Sequence, residues 1–359
     1  MIYYSLISIL FIFSLFQQIN LKKSQLKLLK YFSVILLIIV GGLRFEVGAD
    51  WFSYKNLFLA ISNYSSIFYA REEKLFMFLM VSFKNIINSY SFFIFILFNI
   101  AFLLKFKILN YYSKDIFLSL LIYVSAIFLI YDINGIRQGL AISFVLLSIP
   151  YILNKNIYKY LFLILMAINC HTSAIIFLPF YWIANIRFKK KLILQILILV
   201  VCFSIPLREF VLNSSLLDYL FTFQRLSGYE NFLFNSERNT SIPILSLAVF
   251  QRFVIFYLFW FYYEKLKCDK KLKNLLLNGY VISLIIFLVF SFSSEFAARL
   301  GFYYKSLELL IIPLIVSSQI KIINRVLLLI LFLIYVIIAV YRLLSVDGNG
   351  LIPYNLYSF

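Results

Sequence analysis

"DINGIRQGLAISF", Asp132 to Phe144, stands between two apolar runs. Ile116–Tyr131 precedes it and Val145–Leu153 follows it, so the stretch reads as the tight joint of two membrane spans. The joint carries a fixed positive charge, Arg137, with Asn134 and Gln138 within one turn. Asn134, Arg137, Gln138 and Ala141 recur at i, i+3, i+4 and i+7, which puts them on one stripe of a helix. The small Ala141 leaves room beside that stripe. A cation that merely snorkels to the interface would serve as well as lysine and would need no amide neighbours.

The composition sets the class. The chain has 359 residues, 64% of them hydrophobic and only 13% charged, with a mean hydropathy of +0.96. No soluble domain of this length hides that much apolar surface, so the expected fold is an all-α polytopic integral membrane protein. The apolar runs are continuous and lack period-two alternation, which argues against a β-barrel. Met1–Phe16 has no basic n-region and no small-residue cleavage site, and reads as a retained span rather than a signal peptide. Cys170, Cys202 and Cys268 are scattered in or beside spans and suggest neither a disulfide framework nor a zinc site. The net charge of +18 does not point to nucleic acid. The basic residues cluster in short loops between spans, as the positive-inside rule expects.

Six such clusters mark the cytoplasmic side: Lys22–Lys30, Lys105–Lys114, Lys155–Lys159, Arg187–Lys191, Lys265–Lys273 and Lys321–Arg325. Spans are expected near 2–17, 30–43, 90–107, 115–132, 135–153, 156–170, 172–186, 190–206, 242–264, 274–293, 297–318 and 322–342. That makes twelve crossings with both termini outside. Parity then leaves Leu75–Ile87 unable to cross, and a re-entrant or interfacial helix is predicted near 73–88. The chain should form one transmembrane helical domain over 1–359, with outer-face loops at 44–74 and 207–241. The second loop mixes charges with aromatics and reads as a plain loop or a lid.

The topology separates the two kinds of cation. The cytoplasmic clusters hold 18 lysines and two arginines, whereas nine of the eleven arginines fall outside or within a span. Eleven of the fifteen acids also fall outside, Asp132 among them. Any cation anchors a loop, but arginine is the better fork for a phosphate or carboxylate and keeps its charge in a low dielectric. The outer face therefore looks built to hold an anion.

Several residues could carry chemistry there. His171, the only histidine, sits in "AINCHTSAIIF" at the apex of a tight helical hairpin. It is a candidate general base, the plain alternative being a helix-end cap. Arg299 in "SSEFAARLGFYYKSLELL" has Tyr303 one turn on and Glu295 one turn before. Arg252 lies about ten residues into a span, where a lone charge is costly and usually functional. An ion pair with Glu308 is its plain alternative. "GGLRFEVGADWFSYKNLF", Gly41–Phe58, presents Arg44, Asp50 and Tyr54. A ring beside a carboxylate suits a sugar, and an aromatic belt at the interface is the alternative. The chain has no Walker loop, GxGxxG, CxxC or HExxH, which disfavours an ATP-driven or metal-dependent mechanism.

Four motifs in order resemble one family: "LRFEVGADWFSY" after the second span, "NGIRQGLA" opening a span, "CHTSA" at a hairpin and a late "ARLGFYY". They resemble the EpsG-like, Wzy-type polymerases of bacterial O-antigens, capsules and exopolysaccharides, over roughly residues 40–305. One departure is "REEKLF", where the acid lacks the proline that usually follows it. The resemblance implies a membrane glycosyltransferase of GT-C-like architecture in the bacterial cytoplasmic membrane, its site facing the periplasm or exterior. It implies transfer of a glycan from undecaprenyl pyrophosphate to a lipid-linked repeat unit. Its partners would be that lipid-linked oligosaccharide, the bilayer and a chain-length regulator, with no metal or other cofactor. On that reading Arg137 and Arg299 hold the pyrophosphate, assisted by Arg44 or Arg252. His171 is the base with Asp50 as runner-up, Tyr54 is a sugar platform, and Asn134, Gln138 and Tyr303 complete the substrate contacts. An O-antigen ligase-type enzyme and a lipid-linked oligosaccharide flippase or transporter are the alternatives.

Overall fold

The computed structural model describes residues 1–359 apart from 20, 71, 214–240, 244, 347 and 358–359. Among the described residues the regular structure is helical, and the nearest thing to a strand is an isolated bridge between Arg44 and Leu356. Seven helices among the described residues are long and apolar enough to cross a bilayer: Lys23–Gly42, Tyr90–Tyr112, Ile116–Asn134, Ile136–Leu153, Lys190–Leu207, Lys270–Val289 and Ile322–Leu344. Ser294–Lys305 and Glu308–Ser317 make an eighth if taken as one broken span. Ile2–Gln18, Ile157–Cys170 and Thr172–Ile183 are apolar but shorter than the ~20 residues of a straight crossing. The protein is an all-helical membrane protein, but twelve full-length crossings are not met among the described residues. The loop or lid expected over 207–241 lies mostly outside them, with Arg225 and Arg238. Its first residues belong to a helix that runs on to Asn213.

The chain packs as two compact units. The first comprises Met1–Leu178, Lys265–Cys268 and Glu308–Phe359, and the second Pro179–Glu264 and Asp269–Leu307. In the first unit lie α1 (Ile2–Gln18), α2 (Lys23–Gly42), α3 (Trp51–Ala60), the single turn α4 (Ser66–Tyr69), α5 (Lys74–Ile86) and α6 (Tyr90–Tyr112). The helix α7 (Ile116–Tyr123) continues as a π-helix over Val124–Asn134, followed by α8 (Ile136–Leu153), α9 (Ile157–Cys170) and a 3-10 segment, Thr172–Phe177. Side chains start these helices by accepting free backbone N–H groups: Asp115 from Leu118 at 3.0 Å and Asn156 from Lys159 at 3.1 Å. The 13-residue α5 is too short to cross, and it fills the place where a non-crossing helix is predicted.

The run Ile116–Asn134 is apolar all round, and the bundle buries it almost completely, as such a helix requires. Against it pack α1 and α6, together with Glu308–Ser317 and Ile322–Leu344. Lys105, which the sequence groups with the cytoplasmic lysines, belongs to this interior. It is fully buried and pairs with Asp132 at 2.8 Å. Asp132, expected among the outer acids, is likewise buried. A charge in a bundle core persists only when paired, and each supplies the other's partner.

The helices α8 and α9 form an antiparallel hairpin turned at Asn154–Asn156. At 18 and 14 residues they are about 27 and 21 Å long. Arg137 at the start of α8 and His171 just past the end of α9 therefore reach the same end of the hairpin. The return segment expected as a span over 172–186 is instead the 3-10 segment and one helical turn, α10 (Phe180–Ile183). Pro179 lies between them and cannot donate to an α-helical ladder.

The C-terminal segment closes over the loop after α2. Phe45 N–H donates to Asn355 O at 2.9 Å, Gly48 N–H to Gly350 O at 2.7 Å, and Tyr357 N–H to Leu43 O at 2.8 Å. Gly350 sits at φ +65°, and a Cβ there would lie 2.6 Å from the Gly48 backbone, so only glycine allows the approach. In the second unit α11 (Lys190–Asn213), α12 (Leu247–Tyr262), α13 (Lys270–Val289) and α14 (Ser294–Lys305) pack around Val249, Phe287, Leu288 and Ala297.

Candidate functional site

Arg137 is the second residue of α8, and its guanidinium is held on two edges. Nε donates to the Tyr54 hydroxyl at 3.1 Å and Nη1 donates to Glu73 Oε2 at 2.7 Å. The side chains of Arg137 and Glu73 remain 27% and 15% exposed, so the pair is sheltered without being sealed. Glu73 occupies the N-cap position of α5, yet its carboxylate caps nothing there. Its second oxygen instead accepts from Thr172 N–H at 3.0 Å and Thr172 Oγ1 at 3.2 Å. Thr172 follows His171, whose extended backbone ends α9. The His171 ring is buried, with Nδ1 2.7 Å from Ser173 Oγ. One connected polar cluster thus runs from Tyr54 through Arg137 and Glu73 to the His171–Ser173 turn.

Each member stands on a braced element. Tyr54 projects from α3, whose ring packs on Phe76 of α5 with centroids 5.6 Å apart. Tyr90 of α6 donates to the Trp51 carbonyl at 3.1 Å. Lys84 of α5 donates to the carbonyls of Phe58, Leu59 and Ile61 at 2.8, 2.8 and 2.6 Å, closing the C-terminal end of α3. A side chain fixed in this way keeps its geometry when a ligand arrives.

The charges bias one another. Burial alone would raise the Glu73 carboxyl, but the Arg137 guanidinium, His171 and the Thr172 N–H together hold it below the usual carboxylate range. Burial pushes the Tyr54 phenol up, against the lowering effect of Arg137. At neutral pH the cluster therefore presents a carboxylate, a guanidinium and an un-ionised phenol. Such a cluster can hold an anion on the remaining guanidinium N–H groups, with the His171–Ser173 turn beside it.

Of the residues read from sequence, the first unit brings together Arg137, His171 and Tyr54. Arg44 and Asn134 bond to backbone groups instead. Arg44 is 2% exposed and donates to the carbonyls of Gly41 and Ile133, with Nε buried and unpartnered. Asn134 Oδ1 accepts from Ala49 N–H at 2.9 Å. Both were expected to touch substrate; here each fastens one backbone segment to another. Gln138 is buried in α8, and Asp50 stands exposed at the N-cap of α3. In the second unit Arg299 pairs with Glu295. Arg252 is buried, with Nη1 3.4 Å from Ser283 Oγ and its guanidinium 3.8 Å from the Phe287 ring centre. Tyr303, expected to face a substrate, is fully buried and packs as core. Glu73 and Thr172 escaped the sequence reading. The acid of "REEKLF" was the available signal, but its distance of 64 positions from Arg137 hid the pairing.

A search of curated proteins and of solved structures finds no match. The model of the EpsG family matches residues 27–356, a range that takes in every member of the cluster around Arg137. The chain belongs to the EpsG family.

Proposed function

We propose that this protein is a membrane polysaccharide polymerase. It transfers a growing glycan from a polyprenyl pyrophosphate carrier to the end of a new lipid-linked repeat unit, at the outer face of a bacterial cytoplasmic membrane. Family membership supports the class of reaction. The observation that carries the residue roles is Arg137, held by Tyr54 and Glu73 beside the His171–Ser173 turn.

The reaction makes one demand on charge and one on protons. As the anomeric C–O bond to pyrophosphate breaks, negative charge grows on the leaving oxygen. Arg137 answers it with guanidinium N–H groups already oriented, which avoids reorganisation during the step. The acceptor hydroxyl must lose a proton as it attacks the anomeric carbon. Glu73 is a poor base because Arg137 depresses its basicity. His171 is assigned that proton, with Ser173 orienting its ring. Glu73 orients Arg137 and Thr172. Pyrophosphate is already an activated leaving group, so the reading asks for no divalent cation. It rests on the first unit alone.

The test is a surface-glycan gel of a strain lacking this gene, restored with wild type or with Arg137→Lys. The deletion should keep single-repeat glycans and lose the ladder. Lysine, lacking the fork, should fail to restore it although the protein reaches the membrane. An unchanged ladder in the deletion overturns the polymerase. Loss of every surface glycan, single repeats included, transfers the assignment to a flippase or ligase.

A further inference from the structure

Lys105 and Asp132 form a buried ion pair for which the proposed reaction has no use. Their side chains are 0% and 1% exposed. Lys105 Nζ lies 2.8 Å from Asp132 Oδ1, 2.8 Å from the Gly139 carbonyl and 2.8 Å from Ser143 Oγ. One ammonium therefore ties α6 to the end of the π-helix and to the first turns of α8. The other carboxylate oxygen, Oδ2, accepts from the Tyr123 hydroxyl. Asp132 also lies flush on the backbone of α8, since a Cβ on Gly139 would fall 2.4 Å from Asp132 Oδ1 and 2.6 Å from the Tyr131 carbonyl.

The next two residues are fastened as well, each by a different segment. Ile133 O accepts from Arg44 Nη2 at 3.4 Å, and Asn134 Oδ1 accepts from Ala49 N–H at 2.9 Å. Three consecutive residues are thus pinned just before α8 begins, and Arg137 follows three residues later. π-Helical turns are rare and recur at functional sites, and here one runs directly into the helix that carries Arg137. A buried ion pair adds little stability over apolar residues of the same volume, but it does impose a direction.

We propose that Lys105 and Asp132 are positioning residues for Arg137: the buried pair fixes the Asp132–Gly139 joint and so aims the guanidinium. The proposal rests on Arg137 being the working cation of the site. It distinguishes this pair from the Ser14–Asp115 contact in the same unit, where Ser14 Oγ donates to a buried Asp115 at 2.8 Å and ties α1 to the N-cap of α7, outside the Asp132–Gly139 joint.

The experiment uses the full chain, purified and placed in nanodiscs. Its substrate is the lipid-linked oligosaccharide extracted from the strain lacking this gene. The variants are Lys105→Met, the doubly apolar Lys105→Met with Asp132→Leu, and Ser14→Ala as control. The doubly apolar variant leaves no unpaired buried charge and guards against misfolding. Both Lys105 variants should lower kcat at least tenfold per folded molecule with KM within twofold, and Ser14→Ala should change neither. Combined with Arg137→Lys, Lys105→Met should add less than a twofold further loss, because the two act through one group. Losses that multiply, or a kcat per folded molecule equal to wild type, overturn the proposal. Backbone amide exchange supplies a readout independent of activity. Faster exchange confined to Ile133–Leu140 supports the joint, and unchanged exchange there overturns it. Should wild type make no polymer, the polymerase reading fails, and the exchange result alone decides the positioning claim.

Discussion

Glu73 joins two segments that the sequence keeps far apart. One carboxylate oxygen takes Arg137 Nη1 at 2.7 Å and the other takes the Thr172 N–H at 3.0 Å. A single side chain at the head of α5 therefore sets both the cation at the start of α8 and the backbone beside His171. Its removal should separate functions that the wild type holds together.

Glu73→Gln keeps the shape and can still accept from Thr172, but it removes the charge facing Arg137. Turnover should fall roughly 10- to 100-fold, the equivalent of about 1.5–3 kcal/mol for a hydrogen bond to a charged group. Stability should change by less than about 1 kcal/mol, because the pair keeps access to solvent. Thermal melting beside turnover with extracted lipid-linked substrate checks both numbers. Equal losses of folded protein and of activity would assign Glu73 to folding alone.

The pH dependence has a definite sign. The folded state holds the Glu73 carboxyl below its ordinary value. Its contribution to stability is therefore complete above the unfolded value of about 4.3 and disappears as pH falls through the folded value. Melting temperatures of wild type and Glu73→Gln should differ by a constant amount from pH 7 to pH 5 and converge in more acid solution. A difference that grows on acidification contradicts the assignment.

Tyr54→Phe deletes the acceptor of Arg137 Nε and leaves the ring on Phe76 in place. The loss of one such bond is worth about 1 kcal/mol, so kcat should drop about fivefold. A drop as large as that of Arg137→Lys would give the phenol a direct part in the chemistry.

Two glycine substitutions should behave oppositely. Alanine at Gly139 would meet Asp132 Oδ1 and the Tyr131 carbonyl below 3 Å, and overpacking of this kind costs about 1–3 kcal/mol. Alanine at Gly301 in α14 has its nearest neighbours at 3.8 and 3.9 Å, and should be neutral or stabilise by up to about 1 kcal/mol. Melting curves of the two variants in one detergent compare them directly.

Truncation before Gly348 removes the backbone partners of Leu43, Phe45 and Gly48. The loop that seats Arg44 and meets Asn134 should then exchange its amides faster, and the melting temperature should fall by several degrees. Unchanged exchange over Leu43–Ala49 would make the C-terminal segment a passive tail.

The sequence by itself determined the class and most of the helix positions. Apolar period and length are local properties, so Tyr90–Tyr112 and Ile136–Leu153 were expected within a few residues of their observed starts. It also put Arg137 and His171 on the same, outer side, because the basic loops fix the direction of the spans between them. The tertiary structure decided which charges face inward. Lys105 reads as a loop anchor and Arg44 as an outward cation, yet both are buried, since burial depends on which helix lies opposite. It also decided that Glu73 belongs to Arg137 and that Tyr303 packs as core. A contact between positions 73 and 137 leaves no trace in the local periodicity of either segment. It exists only because α5 and the α8–α9 hairpin bring both to one place, where a guanidinium removed from bulk water requires an acceptor.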